Sequence, residues 1–432
     1  MDDILPEVII ASSNRCIIYD CNTGKDIGLY EDVNTFLPKT LALIGQDFLI
    51  GAYSNKPMLK IWKIKKERNA DQKGFVVPGI VSALAVSNCG NYCVAGIKEQ
   101  IFVWRVTTGE LLTILNRHYQ SVTCLKFTAD DSIFFSGGKD GHVIVWTLSS
   151  VIDVCAGLDN IKPQFVWTQH SAEVTDIYCD NKVSRVATTS LDMTCKIYEL
   201  DSGMLLTSIC MDVPLTSVVM DSLEYAIFLG DERGYLYKIN TYERLPHEIH
   251  RADMNNKAAL ELHQTKIISL SVSSNGKQLM TASEDQTCKL WDIESMTCVS
   301  KFHIEGALTN AFLARRPACF SNKEAKTLLS YRPFERELPK KTEKQYIEAT
   351  IGRKELSLMH DGCPDNYYDH SIFCHKPAAK AETMDATAIQ DIFQENIHGE
   401  TISEMTGLNQ QLFTVTLKNN LASIFSDPPS PS

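Results

Sequence analysis

Residues 116–148 read NRHYQSVTCLKFTADDSIFFSGGKDGHVIVWTL. Within them VTCLKF (122–127) alternates apolar and polar side chains as a strand does, ADDS supplies turn residues, and IFFSGG (133–138) is a second apolar run. KDG then turns tightly and HVIVW (142–146) closes on a tryptophan. Three short strands joined by two short turns form an antiparallel meander. The glycines and lysine of SGGKDG do not make a phosphate-cradling loop, which needs Gly-x4-Gly-Lys-Ser/Thr between a strand and a helix.

The same grammar recurs on both sides. RCIIYD carries Tyr19, MLKIW ends at Trp62, QIFVW at Trp104, HVIVW at Trp146, TCKIYEL carries Tyr198, GYLYKIN carries Ile239, and TCKLWD carries Trp291. These closing residues stand 43, 42, 42, 52, 41 and 52 positions apart. Seven units of about forty residues, two of them lengthened by about ten, have the period of a four-stranded propeller blade. The fourth strand of a unit falls in the next segment, as GELLTIL (109–115) does.

The expected fold is therefore all-β, a seven-bladed β-propeller over residues 1–316, followed by a C-terminal extension of loop and helix. Because EVIIASSN (7–14) lies so near the first residue, the first unit is expected to start at its second strand and to lack an inner one. The alternating run ALTNAFLAR (307–315) has no partner in its own unit, so it is expected to pair with the N-terminal segment and close blade one.

Composition narrows the function classes. The chain has 432 residues, 44% hydrophobic, with a formal net charge of −11. Such a mean field repels phosphate backbones, so nucleic acid is not the default partner and any RNA contact is expected to be indirect or weak. No basic n-region followed by an apolar stretch opens the chain, and no run of 18 apolar residues occurs, so a soluble, non-secreted protein without membrane association is expected. Fourteen cysteines without a Cys-x-x-Cys pair read as free thiols in a reducing compartment.

Over about residues 4–316 the repeats resemble the WD-repeat family. The resemblance implies a stabilising tetrad of histidine, hydroxyl, aspartate and tryptophan in each complete blade. It is carried by His118, Ser136, Asp140 and Trp146, and again by His263, Thr281 or Ser283, Asp285 and Trp291. A third set comprises His170, Thr188 or Ser190, Asp192, and Tyr198 in place of the tryptophan. A catalytic triad of His118, Ser136 and Asp140 is the competing reading, but recurrence of a trio from unit to unit marks architecture rather than chemistry. No catalytic, cofactor or metal residue is expected. The loops carrying Tyr119, Lys139, Gln264 and Glu284 should converge on one face as a partner-binding surface, with Lys139 alone of its turn pointing outward.

Two clusters stand apart. His360, Cys363, His370, Cys374 and His375 could attract zinc, yet their spacing matches no compact finger, and a polar loop is the simpler reading. Lys60, Lys63, Lys65, Lys66 and Arg68 form the densest basic run, either a solvated face or a contact for RNA or an import receptor. Residues 317–385 read as a strap and linker. From 386 to 425 the pattern turns helical, and Leu412, Val415, Leu421, Ile424 and Phe425 present an apolar stripe suited to oligomerisation or partner binding.

Several stretches are more specific: residues 116–148, RVATTSLDMTCKIYELDSGMLL, SLSVSSNGKQLMTASEDQTCKLWDIES, and ALTNAFLARRP followed by YRPF. They are similar to the WD repeat-containing protein 18 family, the WD-repeat subunits of the rixosome. That resemblance implies a non-catalytic scaffold in the nucleus, nucleolus and nucleoplasm that joins helical-repeat subunits on large-subunit ribosomal precursors. It implies support of internal-transcribed-spacer removal from pre-rRNA, and a homodimer through the C-terminal helix. A ubiquitin-ligase substrate receptor or a chromatin peptide reader remains the alternative, although Trp-Asp-x-Arg is absent.

Overall fold

The computed structural model describes residues 7–317, other than 14, 22, 31–35, 65–72, 153–160, 180–184, 222–224, 242–247 and 251–258, together with 331–338. These residues fall in the first of two compact units, 1–358. They form seven sheets, antiparallel throughout their first four strands, arranged as the blades of a β-propeller.

Blade 4 shows the plan, with strands Val122–Phe127, Ile133–Gly138, Val143–Thr147 and Phe165–Trp167 running in order from inner to outer edge. Its neighbours follow suit. Blade 2 opens with Phe36–Ile44, blade 3 with Val81–Val86, blade 5 with Val174–Cys179, blade 6 with Leu215–Met220 and blade 7 with Ile267–Val272. Blade 1 takes its inner strand from the far end of the repeats. Asn310–Arg315 pairs antiparallel with Glu7–Ser12 in the register Glu7 to Arg315, which joins the last described strand to the first.

Alternation along each strand does the packing. In Glu7–Ser12 every residue is buried. Val8 and Ile10 face blade 2, where they meet Phe36, Leu49 and Trp62, whereas Ile9 and Ala11 face blade 7, where they meet Met280, Leu290 and Phe302. A period of two therefore sends successive side chains into opposite blade junctions. Seven apolar clusters result, one at each junction, so the core is divided radially rather than gathered at one centre.

Both insertions lie where the spacing placed them, at 147–164 and 241–258. The first contains the short helix Leu148–Ile152, which covers the junction of blades 3 and 4 through Leu148 and Val151. Within the second, Glu248–His250 pairs in parallel with Leu205–Cys210 and gives blade 5 a fifth, outermost strand. The repeats end near residue 316, but packing onto the propeller resumes at 331–338, a segment taken up below. The tail pattern of 386–425 lies outside the described residues.

Candidate partner-binding face

In an antiparallel meander, the connection into each inner strand and the turn between its second and third strands lie at the same end of the blade. Histidine and aspartate therefore meet on one face, here called upper. In blade 4 the His118 Nδ1–H donates to Asp140, with oxygens at 3.1 and 3.2 Å, and His118 Nε2 lies 2.9 Å from Ser136 Oγ. The Trp146 indole N–H donates to the same Ser136 oxygen at 3.0 Å.

Asp140 also accepts the backbone N–H groups of Tyr119 and His142. Burial alone would raise its carboxyl, but the His118 hydrogen bond, the Tyr119 amide, the histidine's charge and the His142 amide outweigh it and hold it well below the usual carboxylate range. Ser136 is fully buried beneath the indole and the imidazole, so no substrate carbonyl can approach its oxygen.

Blade 7 repeats the set with Thr281 as the hydroxyl. His263 Nε2 is 2.8 Å from Thr281 Oγ1, His263 Nδ1 is 3.0 Å from Asp285, and Trp291 donates to Thr281 at 3.0 Å. Ser283 instead donates to the carbonyls of Thr265 and Lys266.

Blade 5 departs from the pattern at its aromatic. His170 bonds Asp192 at 2.9 Å and Thr188 at 2.9 Å, but the Tyr198 hydroxyl donates to Gln169 Oε1 and not to Thr188. A phenol carries its O–H at the tip of the ring, beyond the hydroxyl that an indole N–H reaches from its flank. The Tyr198 ring stacks on Trp167 of blade 4, with centroids 4.0 Å apart. The set that sequence reading extended to Tyr198 thus has three hydrogen-bonded members. In blade 6 the Tyr237 hydroxyl donates to fully buried Asp231 at 3.0 Å, an arrangement the repeat pattern gave no sign of.

The turns themselves decide which residues reach solvent. Gly141 adopts φ +74°, and a Cβ there would collide with the His170 carbonyl. The equivalent positions in blades 5 and 7 are Met193 (φ 65°) and Gln286 (φ 66°), so those turns hold a side chain where blade 4 has none. Tyr119 is 82% exposed and sets its ring edge-on to His142. The Lys139 ammonium, half exposed, lies 3.7 Å from Glu173 of the next blade, because the adjacent turn places a carboxylate within reach. Gln264 and Glu284 are exposed beside the blade 7 set, the Gln264 amide capping Asp285. Ile80, Leu191 and Met193 add apolar surface on the same face.

A side chain also crosses the upper end of the central channel. Lys39, at the irregular start of the blade 2 inner strand, donates to the Thr175 carbonyl and to Asp176 Oδ1 of blade 5, the latter at 2.6 Å. The other Asp176 oxygen accepts the Val218 amide of blade 6. Around this crossing, inner-strand hydroxyls bond the next blade's backbone: Ser82 to Val122, Thr123 to Val174, Thr175 to Leu215, and Thr216 to Ile267. Lys39 follows Pro38 in NTFLPKT, where sequence periodicity gives no strand signal, and nothing there announced a contact to the opposite side of the ring.

Lys60 lies over the Trp62 ring at 5.3 Å on the strand Met58–Lys63, whereas Lys65, Lys66 and Arg68 are outside the described residues. So are His360, Cys363, His370, Cys374 and His375, and Leu412, Val415, Leu421, Ile424 and Phe425. Among the described residues no His, Cys, Asp and Glu cluster could hold a metal ion, and no helix is long and apolar enough to cross a membrane.

The family model described as WD domain, G-beta repeat, matches residues 109–147, 161–199 and 255–292. These three stretches contain the His118, His170 and His263 sets. Along most of the chain the similarity extends to WD repeat-containing protein 18 of Rattus norvegicus, 36% identical over 77% of this chain and 78% of that protein. The Homo sapiens protein of the same name is 35% identical over 75% of each. Pre-rRNA-processing protein IPI3 of Yarrowia lipolytica is 28% identical over 67% of this chain and 71% of its own length.

Proposed function

This chain belongs to the WD repeat-containing protein 18 family, and from that premise we propose that it serves pre-rRNA processing as a non-catalytic scaffold. The observation that carries the reading is similarity over 67% of the chain to a protein named for pre-rRNA processing, beside similarity over 75% to its own family. The role is exercised in the nucleus, in nucleolus and nucleoplasm, within a rixosome-like complex. There the chain joins helical-repeat subunits and holds them to precursors of the large ribosomal subunit during internal-transcribed-spacer removal.

The chemistry of the propeller supports a scaffold. Its repeated histidine, hydroxyl and aspartate groups are consumed in bonds within each blade, and the hydroxyls are buried. What the upper face offers to solvent is contact surface: Tyr119, Lys139 with Glu173, Gln264 and Glu284. An exposed tyrosine amid paired charges is typical of protein recognition sites. Net charge −11 favours protein partners over direct RNA contact, so the pre-rRNA is reached through the assembly.

Affinity purification of the tagged full chain from nuclei tests the proposal. Helical-repeat subunits and large-subunit precursor proteins are expected to co-purify, with recovery reduced by Tyr119→Ala. Recovery of ubiquitin-ligase adaptors or histone peptides in place of ribosomal precursors would sink it.

A further inference from the structure

Residues Tyr331–Leu338, YRPFEREL, sit in the cleft between blades 2 and 3. Both blades are already complete as four-stranded sheets without them. The segment has no helical or strand structure and adds no strand to either sheet. It is held instead as a peptide ligand is held, by one buried anchor, flanking half-buried groups and a few main-chain bonds.

The anchor is Phe334, 5% exposed, stacked on Trp104 with centroids 5.4 Å apart and planes 12° apart. Tyr331, three residues earlier, meets Phe48 and Phe75 edge-on. The backbone is read as well. The Arg332 amide donates to the Val106 carbonyl at 3.3 Å, and the Glu335 amide to the Gly109 carbonyl at 2.7 Å. The Trp104 indole N–H donates to the Glu335 carbonyl at 2.7 Å.

Two features of the cleft are adapted to this occupant. In the blade 4 set, the hydroxyl that receives the indole N–H is Ser136, opposite Ile144 in the sheet; the equivalent residue of blade 3 is Ala95, opposite Phe102. Blade 3 therefore has a tryptophan donor without an internal acceptor, and a bound main chain supplies one. Gly109, at φ +76°, has no Cβ, and one added there would collide with the Pro333 carbonyl. Arg332, Pro333, Glu335 and Glu337 face solvent, whereas Arg336 Nε donates to the Val76 carbonyl at 3.2 Å and Leu338 packs on the same apolar cluster, so recognition rests chiefly on the two aromatics, Leu338 and main-chain groups.

We propose that this cleft is a peptide-docking site for an extended segment with aromatic residues three apart, and that the chain's own 331–338 strap is its resident, exchangeable occupant.

The test keeps the chain intact through folding. Protease sites are introduced at 320–326 and 340–345, the full chain is purified folded, and cleavage leaves the strap held only by its contacts. A fluorescein-labelled peptide of residues 329–339, LSYRPFERELP, is then followed by anisotropy. The cleaved protein is expected to take up the peptide saturably. The uncleaved chain should bind at least tenfold more weakly, as should a peptide bearing Phe334→Ala, and Trp104→Phe, which keeps an aromatic ring for stacking and loses the indole N–H, should weaken uptake severalfold. Absence of saturable uptake, equal binding by the Phe334→Ala peptide, or equal binding by the uncleaved chain would each overturn the proposal. So would loss of cooperative melting once the strap is cleaved free, because that would make the segment part of the fold rather than a ligand.

Discussion

Deleting one buried hydroxyl oxygen should separate the blades that share a histidine set but not the same aromatic. In Ser136→Ala two donors or acceptors lose their partner at once, the Trp146 N–H and His118 Nε2, both in a fully buried site. Each orphaned group costs about 1–3 kcal/mol, giving a loss of roughly 2–5 kcal/mol after partial relaxation. In Thr188→Val, which keeps the shape of the side chain, His170 Nε2 is the one close partner lost, because Tyr198 bonds Gln169 instead and the hydroxyl's contact to the Lys196 carbonyl is long, at 3.4 Å. That loss should be about 1–3 kcal/mol. At about 1.5 °C per kcal/mol for a propeller of this size, Ser136→Ala should melt about 3–8 °C lower and Thr188→Val about 1.5–5 °C lower. Calorimetry on the two variants and the parent, backed by urea titration, reads the difference. If Thr188→Val costs as much as Ser136→Ala, or Ser136→Ala moves the melt by less than about 1 °C, the hydroxyl is not the shared acceptor the geometry makes it.

Other outcomes follow from the same structure. Burial lowers the His263 pKa despite the opposing pull of Asp285, so its neutral form is the folded one; this stability is fully present above about 6.5 and declines as pH falls below it. The carboxyls of Asp140, Asp192 and Asp285 are held low, so their contribution persists above about 3.9 and is lost in stronger acid. A melting series from pH 7.5 to 5 should therefore slope downward, and His263→Gln should flatten it; an unchanged slope would contradict the assignment. Brief alkylation of the native protein should label exposed Cys298 well before Cys16 and Cys124, whose thiols burial pushes up to about 12 and about 11, as mass spectrometry would read. If the tail joins two copies of the chain, deleting residues 401–432 should lower the mass by light scattering from dimer to monomer while the propeller still melts cooperatively, and an unchanged mass would remove the tail from assembly.

The blades were legible because strand alternation and the closing aromatic repeat at nearly constant spacing, and each is a local property of the chain. The count of seven blades follows from those two signals alone. Partners across the ring were not legible. Lys39 reaches Asp176 over 137 positions of sequence from a Pro-containing stretch without period, and only closure of the ring brings them together. Trp104 was read as one more closing aromatic, yet Ala95 already denied it the hydroxyl of Ser136, and its acceptor came from Glu335, 231 positions away. For Tyr198 the substitution was visible and its consequence was not, since the reach of a phenol depends on what stacks beneath it, here Trp167.

The claim that this propeller serves large-subunit maturation is met most directly by pre-rRNA blots from cells depleted of the chain and rescued with it. Precursors retaining the internal transcribed spacer should accumulate on depletion, clear on rescue with the parent, and stay high on rescue with Tyr119→Ala. A normal precursor profile after full depletion would contradict the account, whatever the blades turn out to bind.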